Sequence, residues 1–235
     1  MTSVIEISAQ IRALASPKTA SVSQRFFKTG KGQYGEGDIF LGIKVPHLRS
    51  LAKQCRDTKL DAIGALLKSR YHEERLFALL LLMQFYAKGS ADEQDAAYTL
   101  YLDNTRHINN WDLVDISAPH IVGKHLAQRT RDILYELARS ANLWERRIAI
   151  IATFYFIRLN EFNDTLRVAE ILLHDDHDLM HKAVGWMLRE VGKRDNTKEA
   201  DFLRLHYREM PRTMLRYAIE RFPEPLRKQY LQGTI

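Results

Sequence analysis

Five segments of this chain repeat one arrangement at nearly one interval. They are ERLFALLL around Arg75, NWDLVDIS around Trp111, RRIAIIAT around Arg147, HKAVGWML around Lys182 and LRYAIERF around Arg216. Aligned on the named residues, the steps are 36, 36, 35 and 34 positions. Each segment opens one helix, and the gap to the next has room for a partner helix. Two helices per unit at a steady period of this length is the pattern of an α-solenoid. In that architecture each unit buries its apolar face only by stacking on its neighbours. A non-repetitive helical bundle is the alternative, and four consecutive near-equal steps favour the solenoid.

The rest of the chain agrees with this. Helical periodicity runs almost throughout and strand alternation is nearly absent, while Gly30 to Gly37, Gly42, Pro46, Gly89, Pro211 and Pro223 punctuate the periodic segments. The pattern predicts helices over roughly 4–15, 19–28, 46–56, 59–68, 72–87, 91–103, 110–122, 130–139, 143–158, 163–173, 178–193, 198–208, 211–221 and 224–231. The expected fold class is therefore all-α, an α-solenoid or superhelix of HEAT-like (ARM-type) helical repeats. Residues 1–235 are read as a single domain with a concave basic face, and no boundary is placed.

Register carries this reading towards function. Equivalent positions of stacked repeats line up along one surface, so Arg75, Trp111, Arg147, Lys182 and Arg216 are expected to form one row. Four of the five are basic and all sit in first turns, where the helix dipole prefers anions. Cations placed against the dipole point to a phosphate partner. One turn further along, Asp115 and Trp186 occupy equivalent positions. Trp111, Asp115, Arg147 and Trp186 are thus expected to cluster on neighbouring helices about 10 Å apart.

The net charge of +6 and pI near 9.4 fit a polyanionic partner such as nucleic acid, and fit a merely soluble protein as well. The single cysteine, Cys55, excludes an intramolecular disulfide and reads as a small buried hydrophobe. The opening MTSVIEISAQIRALA has no basic lead and carries Glu6, so no secretory signal is expected. The longest apolar run, LFALLLLMQFYA from Leu76, is too short to span a bilayer. A cytoplasmic, nucleoid-associated address is the expectation. No exposed heptad seam calls for an oligomer, so a monomer is expected.

Simpler roles compete for several of these residues. Trp111 suits a helical core, and Asp112 suits a helix N-terminus capped by Asn110. Asp115 lies beyond the first turn, where the dipole explains it less well. Trp144, and by default Trp186 in its apolar setting, read as core. Arg146 and Arg147 are adjacent and cannot both face one groove, and the register selects Arg147. His174 and His177 in HDDHD sit between helices with no third ligand at helical spacing, and Asp178 suits the next N-cap. His120 and His125 are five apart, the wrong spacing for one face. No metal and no cofactor are expected.

These segments also carry a resemblance. NNWDLVD, LWERRIAI and HKAVGWMLREVGK, with FLGIKVPHLR at 40–49, are similar to the signatures of the AlkD-like alkylpurine DNA glycosylases, DNA alkylation repair enzymes built of HEAT-like repeats. The likeness covers nearly the whole chain. It implies Asp115 as the catalytic carboxylate, Trp111 and Trp186 as aromatic walls against the deoxyribose, and Arg147 as a phosphate clamp. The partner it implies is double-stranded DNA containing alkylated bases. The activity is monofunctional release of cationic N3- or N7-alkylated purines, without burying the base in a pocket. A non-catalytic HEAT-repeat module that binds nucleic acid or protein is the alternative.

One stretch departs from that family pattern. FFKTGKGQYGEGDIF is longer and richer in glycine than the link expected there. Its GKGQYG satisfies G-x-G-x-x-G, but a helical pattern precedes it and no βαβ unit surrounds it, so it fails as a dinucleotide fingerprint. It reads as a mobile inter-helix loop, with Lys28, Lys31 and loop amides as candidate contacts to a DNA backbone.

Overall fold

A computed structural model describes residues 3–235. The regular structure of the described chain is helical, and its only β-type pairing is an isolated bridge between Ile39 and Tyr71. The expected all-α class therefore holds. The chain packs as two compact units, Met1–Ser117 and Ala118–Ile235, each with its own core.

The first unit contains α1 (Val4–Arg12), α2 (Pro17–Phe26), α3 (Val45–Gln54), α4 (Leu60–Leu67), α5 (His72–Lys88), α6 (Ala91–Asp103) and α7 (Trp111–Ser117). Their starts are set locally. Ser3 with Glu6 and Ser90 with Glu93 form reciprocal capping boxes, and Ser16 caps α2 ahead of Pro17. The central element is α5, which packs against α3, α4, α6 and α7. Leu76 to Leu82 are all buried, which is why this helix is apolar on every side. Each such large side chain contributes roughly 1.5–3 kcal/mol.

The first turn of α5 is equally buried but ionic, and its four side chains fasten the segments around it. Glu73 accepts the backbone N–H groups of Leu41, Gly42 and Ile43, at 2.8, 2.7 and 3.1 Å. Glu74 accepts from Arg12 Nε at 2.8 Å and from the Ser69 hydroxyl at 2.5 Å. His72 and Arg75 both hold Asp38. Buried polar groups are tolerated only when paired in this way.

The second unit contains a π-helical turn over Pro119–Gly123, then α8 (Lys124–Leu126), α9 (Asp132–Leu137), α10 (Leu143–Ala152), α11 (Phe154–Arg158), α12 (Asn163–Ile171), α13 (Asp178–Gly192), α14 (Asn196–His206), α15 (Arg212–Ala218) and α16 (Glu224–Gln232). Two sequence-predicted helices are interrupted. The one over 110–122 loses α-helical bonding after Ser117, where Pro119 has no N–H to give and a π-helical turn follows. The one over 143–158 breaks at Thr153, whose hydroxyl turns back to the Ile150 carbonyl at 2.7 Å. The core helix is α13, packed on α10, α12, α14 and α15. Gly185 lets it approach α15 so closely that a Cβ there would lie 2.4 Å from the Met214 carbonyl oxygen.

Candidate functional site

At the start of α7 the side-chain oxygen of Asn110 accepts the Trp111 N–H at 2.9 Å. Trp111 and Asp115 follow one turn apart on this short helix, and both are half-buried, open in part to solvent. The charge of Asp115 is felt nearby. Burial pushes the Tyr101 phenol well above its ordinary range, and the Asp115 carboxylate adds to that shift.

Trp111 is the end of an aromatic stack. Its indole lies on Phe27 with ring centres 5.3 Å apart, and Phe27 lies on Phe40 at 4.8 Å. Phe40 in turn lies on the His72 ring at 4.2 Å. Phe26, largely exposed, meets Trp111 edge-on at 6.1 Å. The indole is therefore braced on one side by packed rings.

Beneath that stack lies an ionic cluster that sequence reasoning missed. His72 Nδ1 stands 2.7 Å from Asp38 Oδ2, and its Nε2 stands 2.8 Å from Asp112 Oδ2. Arg75 Nη2 donates to Asp38 Oδ1 at 2.7 Å, and Asn110 Nδ2 donates to Asp38 Oδ2 at 3.3 Å. Burial disfavours charge on His72, but the Asp112 and Asp38 carboxylates outweigh it and raise its pKa to about 9. Burial likewise opposes ionisation of Asp38, yet His72 and Arg75 bring it down to about 2. Two cations and two anions thus balance. Asp112, read from sequence as a dipole partner only, is one of them. Asp38 and His72 are 34 residues apart, so no local spacing could have joined them.

This cluster corrects one expected DNA contact. Arg75 is 4% exposed, and its guanidinium is taken by Asp38 and the Ser69 carbonyl, so it is not an exposed cation. Asp38 also pins the far end of the Gly-rich loop. Within that loop Gly30 N–H goes to Gln33 Oε1 and Gly32 N–H goes to Glu36 Oε2, which takes those two amides out of the expected set of contacts. Lys28 and Lys31 remain exposed. The segment before the loop is helical, as the failed dinucleotide fingerprint required.

The second unit holds the other expected residues. Arg147 is 5% exposed and donates to the Leu179 carbonyl at 2.7 Å, tying α10 to the first turn of α13. The repeat register chose it over Arg146 as a surface group, and its burial corrects that expectation. Arg146 pairs with Asp175 at 2.6 Å. Lys182 is partly exposed and pairs with Asp178 one turn earlier at 2.7 Å, while Arg216 is exposed. Trp186 is half-buried, lies 5.9 Å from Phe154 and donates its indole N–H to Glu190 at 3.1 Å. Trp144 is core, as expected, and so is Cys55. In HDDHD the cap of α13 is His177, whose Nδ1 accepts the Leu179 N–H; Asp178 is already inside the helix.

The fold is that of a solved structure of a predicted DNA alkylation repair enzyme from Enterococcus faecalis, with a TM-score of 0.70 at 18% identity over 89% of this chain and 97% of that one. Residues 7–222 match the sequence model of the DNA alkylation repair enzymes, and the chain belongs to that family. No protein with a curated description matches the sequence.

Proposed function

We propose that this chain is a monofunctional DNA glycosylase that hydrolyses the N-glycosidic bond of N3- or N7-alkylated purines in double-stranded DNA. Membership of the DNA alkylation repair family supports a role in repair of alkylated DNA. The observation that carries the finer reading is the pairing of Trp111 and Asp115 one turn apart on α7, neither sealed from solvent.

An N3- or N7-alkylated purine is already cationic, so it departs without a strong general acid. What remains is to stabilise an oxocarbenium-like sugar and to orient a water, and one carboxylate serves both ends. In this reading Asp115 is that group. The indole face of Trp111 attracts the cationic lesion and the polarised sugar C–H groups. Trp186 is read as a second aromatic contact to DNA. Lys182, Arg216, Lys28 and Lys31 are read as contacts to phosphate, a role the burial of Arg75 and Arg147 leaves to them.

The test is release of 7-methylguanine from methylated duplex DNA at low salt by the wild-type chain and by Asp115→Asn. Release by the wild type, lost in the variant while duplex affinity is kept or raised, is the expected result. Equal release by both would remove Asp115 from the mechanism. Binding without any release would favour the alternative, a non-catalytic helical-repeat module.

A further inference from the structure

His72 has no part in the chemistry above, yet it touches α7 by two routes. Its Nε2 holds Asp112, the neighbour of Trp111 in the first turn of that helix. Its ring face carries Phe40, and Phe27 lies tilted over it at 5.3 Å while stacking on the Trp111 indole. Its Nδ1 reaches Asp38 at the end of the Gly-rich loop. At 2% exposure the ring has no freedom to turn.

We propose that His72, bridging Asp38 and Asp112, is a positioning residue that fixes the first turn of α7 and the orientation of the Trp111 ring, and with them the aim of Asp115. The clause about Asp115 rests on the glycosylase reading; the clause about α7 and Trp111 does not.

The bridge demands two donors on one ring, because a carboxylate oxygen faces each nitrogen. Only the imidazolium supplies both. The charged groups around it are Asp38 from the loop, Asp112 from α7 and Arg75 from its own helix. Glu73 and Glu74, next along that helix, are turned to the 41–43 backbone and to Arg12 and Ser69. Phe27 and Phe40 bring no charge, and Asn110 brings a neutral donor to Asp38. Once the ring loses its proton, one nitrogen lone pair confronts a carboxylate and that end of the bridge opens.

Hydrogen exchange over residues 109–117 reads this directly in the full chain without DNA. In His72→Gln, and in Asp112→Asn should the first variant fold poorly, exchange there is expected to quicken about 10-fold or more, with α13 unchanged. In the wild type the same protection, corrected for intrinsic rates, is expected to fall above about pH 9, and His72→Gln should show no such step. Single-turnover base release by the variants should drop about 10- to 100-fold at nearly constant duplex affinity, the scale of a small misplacement. Unaltered protection of 109–117 in both variants would overturn the proposal, as would an equal loss over the whole chain. A wild type that releases no base sinks the Asp115 reading instead, and exchange alone then decides on His72.

Discussion

The Glu73 carboxylate takes the Gly42 N–H at 2.7 Å while also holding the N–H groups of Leu41 and Ile43. Gly42 adopts a φ of +80°, and a Cβ there would lie 2.3 Å from the Ser16 carbonyl oxygen, so the segment has no other path. Glu73→Ala leaves these amides without their acceptor and is expected to cost roughly 3 kcal/mol. Glu73→Gln should recover only part of that, since one end of its amide presents a donor to donors. Urea unfolding measures both, and a loss under about 1 kcal/mol for the alanine variant contradicts the argument.

Glu199 gives a pH dependence of the opposite kind to a salt-bridged acid. It is 2% exposed, its Oε1 has no partner, and burial raises its pKa to about 8 against the opposing charge of Arg189. The folded chain therefore holds this proton where the unfolded chain, at the ordinary value of 4.5, has released it. Stability from the neutral carboxyl is complete below about pH 4.5 and is lost as pH rises through about 8. Glu199→Gln cannot ionise. Its melting temperature should gain on the wild type steadily from pH 5 to about pH 8 and level off above that, by several degrees at the plateau. A constant difference across that range would show that the group is ionised throughout.

Four cations of the repeat row separate into two kinds of variant. Arg75→Ala breaks a buried pair with Asp38 and is expected to destabilise by roughly 3–5 kcal/mol. Arg147→Ala removes the donor to Leu179 and is expected to cost about 1–3 kcal/mol. Lys182→Ala and Arg216→Ala should leave stability nearly unchanged. If each meets a phosphate, either substitution lowers the slope of log affinity against log salt by about 0.9. Melting curves and salt titrations of duplex binding distinguish the classes. An Arg147→Ala chain of wild-type stability with a shallower salt slope would restore that residue to the DNA surface.

These contrasts mark what was legible in the sequence. The helices were readable because the 3.6-residue period and the caps are local, as Ser90 with Glu93 shows. The repeat register identified equivalent positions, but it cannot say whether a side chain's head reaches water. Arg75 and Arg147 occupy the same register and are both buried, whereas Arg216 is exposed. Asp38, His72 and Asp112 were illegible for a different reason. Their bond is tertiary, spanning 34 and 40 positions, and of the three only Asp112 carried a sequence reading, as a partner of the helix dipole. The Gly-rich loop hid its anchor in the same way, since Asp38 follows a run whose glycines drew the reading towards the loop itself.

Gly185, in the middle of AVGWML, completes the set. In an exposed helix interior a Gly→Ala change gains about 1 kcal/mol from propensity. Here the added methyl would stand 2.4 Å from the Met214 carbonyl oxygen and 2.6 Å from Tyr217 Cβ, both parts of α15 that cannot swing aside. The sign should therefore reverse, with Gly185→Ala losing roughly 1–3 kcal/mol to overpacking. Gly64 is the control, because a methyl there meets only the end of the Leu100 side chain at 3.1 Å. Gly64→Ala should be neutral or stabilising. Because Trp186 follows Gly185 directly on α13, any slide of α13 against α15 also moves that indole. Melting curves of the two variants decide the packing argument, and equal effects would remove it.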